Sequence, residues 1–248
     1  MEGIIKNSMV VDFHSHVLAG IDDGSSSVEE SVAMLRLAAQ QGITHVMATP
    51  HFYAQHDTLT QFLRRRKAAE LRLREAMEGI EGLPKLTLGA EVRYFRGISR
   101  SDGISQLTYE GTNCLLLEMP ETKWTEFMYQ ELETLWKDQG LIPVIAHMDR
   151  YISPLNTHGI PERLKELPVL VQANASFFIR RSTGRMAKRL LRDGYIHLLG
   201  SDCHNMTSRM PNLGPAVDRI QDQLGSDALR WIKDHENKIL HSGHGSLK

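Results

Sequence analysis

Two histidines one residue apart, His14 and His16, close a short apolar run, Met9-Val10-Val11. Such a run reads as a strand, and residues i and i+2 of a strand point the same way. The two imidazoles therefore leave the strand end on one face, about 7 Å apart along the chain. Neutral imidazole is the commonest metal ligand, so the pair makes half a chelate. An H-x-H alone is weak evidence, because such a pair is more often solvent-facing or internally satisfied. Further donors recur where other apolar runs end: His51, Glu91, Glu118, His147, Asp202 and His204. Asp22 or Asp23, in the turn beyond His16, adds one more carboxylate.

Mixed imidazole and carboxylate donors suit Mn, Fe or Zn better than Ca or Mg. Five histidines and four carboxylates are too many for one ion, so the count points to two or three. A bridging carboxylate is expected where ions share a site. Any single histidine at a strand end is more often structural; the conjunction carries the signal. Glu118 follows Leu115-Leu116-Leu117 and is costly beside a buried run unless it has a partner. Among the other histidines, His45 and His197 lie inside strand runs and read as packed. His56, His158 and His235 read as surface residues, and His241 and His244 fall in a tail.

The positioning elements alternate. Strands are expected over 43–49, 85–88, 114–117, 142–146, 169–172 and 196–199, besides the first. Helices are expected from Ser27, which opens an S-x-x-E capping box, to about Gln41, then over 59–77, 123–139 and 186–193, with two more after Asn205. Residues 95–112 read as loop. The basic stretch Arg64-Arg65-Arg66-Lys67 reads as a solvated helix face rather than a binding patch. It and residues 28–30 are left open as surfaces for a homo-oligomer. Seven strands separated mostly by helices argue for parallel β/α units. Barrel enzymes place their chemistry at the carboxyl ends of such strands, so distant residues can meet. One barrel-like domain over 1–248 explains the pattern better than two.

Lys+Arg 29 against Asp+Glu 30 gives a net charge of −1, which provides no pull toward nucleic acid or anionic membrane. No run approaches the ~20 apolar residues of a membrane span. Cys114 and Cys203 make no disulfide framework, and a reducing cytoplasm is the natural location.

The segments Asp12-Phe-His14-Ser-His16, Thr49-Pro50-His51, Gly89-Ala90-Glu91, Leu117-Glu118-Met-Pro120, Ala146-His147-Met-Asp-Arg150-Tyr151, Gln172-Ala-Asn174 and Ser201-Asp202-Cys-His204-Asn205 carry a resemblance. In order and spacing they resemble the polymerase-and-histidinol-phosphatase (PHP) superfamily. Within it, Gly20-Ile-Asp22-Asp23-Gly24, Gly89-Ala-Glu91 and the His147 to Tyr151 segment are similar to CpsB-type bacterial protein-tyrosine phosphatases of capsule and exopolysaccharide loci. The resemblance implies a distorted (β/α)7 barrel and a trinuclear, commonly Mn2+-dependent site. It implies one ion on His14, His16, Glu91 and Asp202. A second is implied on Glu91, Glu118 and His147, and a third on Asp23, His51 and His204, with Asp22 competing for the aspartate role. Arg150 and Arg209 match arginines that the family places near substrate phosphate. Two departures bear on pocket shape: Met148-Asp149 follows His147 where Pro-Glu or similar is usual, and Met119 follows Glu118 where Phe is common.

The implied activity is hydrolysis of phosphotyrosine by a metal-activated hydroxide, with a bacterial tyrosine kinase tail as substrate. By position, His51 is also a candidate to assist the leaving group. Rival expectations are another phosphomonoesterase, such as histidinol-phosphate phosphatase, and a non-enzymatic regulatory binding protein. Cys203 and Arg209 also match the C-x5-R pattern of cysteine-dependent phosphatases. That loop lacks the glycine such an anion cradle needs, and Cys203 alternates away from Asp202 and His204.

Overall fold

A computed structural model describes residues 10–152 and 159–241. Met9, His158, His244 and the side chain of His241 lie outside the described residues. The chain runs β1 (Val11–Ser15), α1 (Val28–Gln40), β2 (His45–Ala48), β3 (His51–Phe52), α2 (Leu59–Met77), β4 (Lys85–Leu88), β5 (Glu91–Arg93) and β6 (Cys114–Glu118). It continues with α3 (Glu126–Gln139), β7 (Ile142–Ile145), α4 (Ile160–Lys165), β8 (Leu170–Asn174), α5 (Ala175–Ile179), α6 (Gly184–Arg192), β9 (Leu198–Gly200), α7 (Leu213–Leu224) and α8 (Ser226–His241). All pairings between these strands are parallel, in the orders β1-β2-β4 and β3-β5-β6-β7-β8-β9.

The strand count reconciles with seven because two strands are interrupted. β2 breaks at Thr49-Pro50 before β3, and β4 breaks at Gly89-Ala90 before β5. Across both breaks the ladder holds, through Gly89 N to Ala48 O (2.8 Å) and Glu91 N to Pro50 O (3.0 Å). The ends of the sheet meet where His16 N donates to Cys203 O (2.9 Å) and Asp202 N donates to His14 O (2.8 Å). This is the distorted α/β barrel expected from the chain.

Side-chain parity divides the core. Val11, Phe13, Met47, Cys114, Leu116, Ile142, Val144, Leu170 and Leu198 form an inner cluster. Their neighbours, such as Val46, Leu115, Leu117, Ile145, Val171 and Leu199, pack outward in the cluster shared with the helices. Burying such side chains contributes about 1.5–3 kcal/mol each. The pairing of β1 with β2 slips by one residue between Asp12 and Ser15. Such a bulge inverts parity. It lets His14 and His16 turn inward although Phe13 already does. The Phe13 carbonyl at this irregularity accepts from the buried Tyr109 hydroxyl (2.9 Å).

Helix ends follow local chemistry. Ser27 caps α1, and Thr58 closes a capping box with Gln61 on α2. α3 starts at Glu126 rather than Lys123 because Thr125 is its cap, with Met128 N donating to the side chain. Two short helices, α4 and α5, were not expected, and residues 98–100 and 104–107 of the expected loop form 3₁₀ turns. His235 is a further correction: it is buried, not a surface residue. Its ring lies 4.4 Å from that of Trp231 and 5.0 Å from that of His197, because α8 lays this face on the base of the barrel.

Candidate metal centre

The carboxyl ends of the strands bring all nine expected donors to one place. Glu91, almost wholly buried, is the hub. Its Oε2 lies 3.1 Å from His14 Nε2, 3.3 Å from His16 Nε2 and 3.0 Å from His51 Nδ1, and its Oε1 lies 2.8 Å from His147 Nε2. Asp202 Oδ1 is 3.6 Å from both His14 Nε2 and His16 Nε2. Glu118 Oε1 is 3.8 Å from His147 Nε2. Asp23 Oδ1 is 3.5 Å from both His51 Nε2 and His204 Nε2. Three groups have donor atoms mutually within 4.8 Å: His14 with His16 and Glu91; His51 with Glu91 and Glu118; and His16 with Asp23, His51 and His204.

The two aspartates separate by geometry. Asp22 Oδ2 sits 2.7 Å from His16 Nδ1 and accepts from His51 N (2.9 Å), so it orients ligands from behind. Asp23 turns outward into the third group, with its side chain 68% exposed. His14 Nδ1 is likewise engaged by Gln172 Oε1 (3.2 Å), and His204 Nδ1 by the Asp202 carbonyl (3.0 Å). Donation through Nδ1 fixes a neutral tautomer whose Nε2 lone pair faces inward. His14 Nε2 and His16 Nε2 lie 3.2 Å apart; in two neutral rings both would be lone pairs, which a shared proton or a cation would relieve.

The residues fit bound cations by a second criterion. Buried His51 Nδ1, Glu91 Oε2, Glu118 Oε2, His147 Nδ1, Asp202 Oδ1 and His204 Nε2 make no hydrogen bond of acceptable geometry among the described residues, although His51 Nδ1 faces Glu91 Oε2 and Arg209 stands at ion-pair distance from Asp202 Oδ1. Buried polar atoms are rarely left so. Electrostatics agree. Burial lowers the His16 imidazole, but hydrogen bonds and charge from Asp22 and Glu91 outweigh it and lift it to about 10. Burial raises the Glu91 carboxyl, yet His14, His147 and His16 hold it well below the usual range. Glu118 is pushed up by burial and then by the Glu91 charge. Such a pocket calls for positive charge, from protons or from metal ions.

Backbone strain marks the same place. His147 (φ 33°) and Asp202 (φ 53°) have the only positive φ values outside glycine among the described residues, and such conformations cluster at functional sites. Gly24 and Gly200 allow close approach: a Cβ on Gly24 would lie 2.5 Å from His16 Cβ, and one on Gly200 2.5 Å from His14 Cβ.

Arg150 and Arg209 both reach the cluster. Arg150 lies 3.3 Å from Glu118 Oε1 and 2.9 Å from Asp202 Oδ2, and Arg209 lies 2.8 Å from Asp202 Oδ1. Asn205 aims Arg209 by folding the loop back: its Oδ1 accepts from the backbone N–H groups of Thr207, Ser208 and Arg209. His51 faces Glu91 with one nitrogen and Asp23 with the other, leaving none for a leaving group.

Several supporting residues have no role assigned to them by the sequence, although Gln172 and Asn174 stand in one of the segments that carry the resemblance. Gln172 Oε1 accepts from His147 N (2.7 Å), and Asn174 Nδ2 donates to Asp202 Oδ2 (3.0 Å). The basic run of α2 is also more than a solvated face. Arg65 donates to Ile21 O (3.2 Å) and pairs with Asp57; Arg72 donates to Ala19 O (3.2 Å); Arg66 donates to Gly89 O (2.7 Å) and Gln106 O (3.1 Å). The Ala19, Ile21 and Gly89 carbonyls belong to the two loops that carry Asp22-Asp23 and Glu91, and that of Gln106 belongs to the 3₁₀ turn over 104–107.

Fold and cluster together place the chain among parallel α/β barrels that gather histidines and carboxylates around ion-sized gaps at their carboxyl rim. The family described as capsular polysaccharide synthesis, CpsB/CapC, matches residues 10–241, and the chain belongs to it. Tyrosine-protein phosphatase YwqE of Bacillus subtilis is 27% identical over 251 residues, covering 93% of this chain and 91% of that one. Tyrosine-protein phosphatase CpsB of Streptococcus agalactiae serotype III is 26% identical over 248 residues, covering 90% and 94%. Among solved structures, one from a study of YwqE from B. subtilis and CpsB from Streptococcus pneumoniae, "unique metal-dependent tyrosine phosphatases", superposes with a TM-score of 0.79. It is 22% identical and covers 93% of this chain and 94% of that one, a likeness in fold.

Proposed function

We propose that this chain is a metal-dependent protein-tyrosine phosphatase, working as one domain. Its substrate is a phosphotyrosine protein, for which we favour the autophosphorylated tail of a bacterial tyrosine kinase in capsule or exopolysaccharide synthesis. The carrying observation is the convergence of five imidazoles and four carboxylates beside two arginines. His14, His16, Glu91 and Asp202 would hold one ion, Glu91, Glu118 and His147 a second, and Asp23, His51 and His204 a third. Mn2+ is our choice, with Fe or Zn as alternatives, because the donors mix nitrogen and oxygen. A cytoplasmic location follows from that choice of substrate; no described helix is long and apolar enough to cross a membrane.

When bound, the ions supply a nucleophilic water at neutral pH and neutralise phosphate charge. The chain does the rest. Arg150 and Arg209, held by Asp202, present planar forks suited to phosphate oxygens. Gln172, Asn174 and Asp22 fix ligand orientation. The phenolate of phosphotyrosine, with a pKa of about 10, leaves more readily than an alkoxide. Cys203 is no rival nucleophile: it is buried, and burial pushes its thiol up, away from the reactive thiolate.

The test is turnover of a phosphotyrosine peptide, histidinol phosphate and phenyl phosphate, each with EDTA and with Mn2+ restored. Loss with EDTA, recovery with Mn2+ and preference for the peptide are expected. Equal rates on histidinol phosphate would sink the tyrosine-phosphatase reading, and EDTA-insensitive turnover would sink the metal reading.

A further inference from the structure

A third arginine stands at the rim of the cluster. Arg93 follows Glu91 by two residues on β5, so both side chains leave the same face, and it is in register with Glu118 on β6. Its Nη1 lies 3.8 Å from Glu118 Oε2, its side chain is 54% exposed, and its guanidinium sits over the ring of Tyr53 at 5.9 Å. Tyr53 in turn stacks on His51, with centroids 5.0 Å apart and planes inclined by 22°. The result is a ladder of flat groups, His51, Tyr53 and Arg93, climbing outward from the candidate metal ligands.

Arg93 differs from the other two arginines. Arg150 and Arg209 approach Asp202 at 2.9 and 2.8 Å, at the cluster itself. Besides its place over Tyr53, Arg93 holds only a long contact to Glu118 Oε2, and half of it is open to solvent. An aryl phosphate seated at the cluster carries its ring one ester oxygen beyond phosphorus, at rim height. Guanidinium is planar, stacks on aromatic faces and is weakly hydrated. We propose that Arg93 is a specificity residue that stacks on the aromatic ring of an aryl phosphate ester, with Tyr53 as the positioning residue that holds it there. This rests on the phosphatase reading and extends it: the next step of the ladder is the substrate's own ring, and an alkyl phosphate has nothing to place there.

The experiment compares wild type with Arg93→Met, Arg93→Lys and Tyr53→Leu, all loaded with Mn2+. The readouts are kcat/KM on a phosphotyrosine peptide and the competitive Ki of inorganic phosphate, which has no ring. Metal content is measured alongside. Arg93→Met is expected to lose about tenfold in kcat/KM, mostly through KM, equivalent to about 1.4 kcal/mol of stacking. Phosphate Ki and metal content should stay within about twofold of wild type. Arg93→Lys keeps the charge without the plane and should recover little, and Tyr53→Leu should show a smaller loss of the same kind. A parallel rise in phosphate Ki would make Arg93 a phosphate ligand and overturn the proposal. So would full rescue by lysine, loss of metal, or an unchanged kcat/KM in Arg93→Met. A wild-type enzyme inactive on the peptide under all metal conditions would instead show the phosphatase reading itself to be wrong, and the role of Arg93 would fall with it.

Discussion

Replacing Arg66 with methionine removes a clamp on the loop that delivers Glu91. The guanidinium is half-buried, lies over Phe62 at 5.6 Å, and donates to Gly89 O at 2.7 Å and to Gln106 O at 3.1 Å. Methionine keeps the stem and its contact with Phe62 and deletes both charge-assisted bonds. Such bonds contribute about 1.5–3 kcal/mol each. The Gln106 carbonyl is on the exposed side and finds water, so the Gly89 bond dominates. The expected loss of stability is about 2 kcal/mol, read by urea unfolding of the EDTA-treated protein. The more telling effect is on the ions. Glu91 lies two residues past Gly89 and faces four imidazoles, so a small displacement touches two of the three candidate sites. Removing a group that orients a ligand typically costs 10–100-fold in metal affinity. Calorimetric titration with Mn2+ should show that loss for the two sites sharing Glu91, and little change at the site of Asp23, His51 and His204. Arg66→Lys, which can keep one bond, should fall between. If stability dropped while every Mn2+ affinity stayed within about twofold, Arg66 would be a folding residue only, and its coupling to Glu91 would be refuted.

The adjacent aspartates should behave differently when mutated. Asp23→Ala should lose the ion on His51 and His204 and retain the others, whereas Asp22→Asn should retain all ions but weaken those touching His16 by about 10–100-fold; identical metal loss in the two variants would undo the assignment. At the barrel base, burial, reinforced by His235, Lys165 and Lys238, lowers His197 to about 3. The folded state therefore refuses a proton that the unfolded chain binds at about 6.5. This contribution to stability is complete above about pH 6.5 and is lost as pH falls toward 3, at up to about 1.4 kcal/mol per unit. His197→Gln should flatten that slope in urea titrations between pH 6.5 and 4.5, and an unchanged slope would show that His197 is not the group responsible.

Strand exits are legible because periodicity and chemistry meet there. His14, His16, Glu118 and His147 each follow an apolar run, so each donor could be placed without knowing its neighbours. Helix α2 is as expected to the residue, since Thr58 caps it and its apolar stripe is regular. The residues that sequence did not single out share one property: they act through contacts that have no fixed spacing. Arg66 reaches Gly89, 23 positions away, and Arg72 reaches Ala19, 53 away. No sequence pattern links a guanidinium to a backbone carbonyl at such separations, so the run 64–67 read as ordinary solvated charge. Asp22 and Asp23 are equivalent on paper, and only the direction of the turn, tightened by Gly24 against His16, separates them. Arg93 was hidden by its neighbour: the carboxylate two residues earlier explained the strand end on its own.

A regular barrel could not make this centre. Strict alternation allows each strand to present every second residue to the interior, and those positions are needed by Val11, Phe13, Leu116 and Val144 to fill it. Donors arrive where regularity fails. The register slip in β1 frees His14 and His16. Pro50 and Gly89-Ala90 interrupt two strands just before His51 and Glu91. Left-handed backbone at His147 and Asp202 turns two more side chains after their strands end. Such departures cost of order 1–3 kcal/mol where strain is stored, and each is anchored by a bond from a non-ligand: Tyr109 at Phe13, Asp22 at His51 N just past Pro50, Arg66 at Gly89, Gln172 at His147 N and Asn174 at Asp202. The anchors, more than the donors, thus decide whether the donor atoms stay within ion-sized distances. Conservative changes at Gln172 or Asn174 should therefore weaken metal binding almost as much as changes at the ligands.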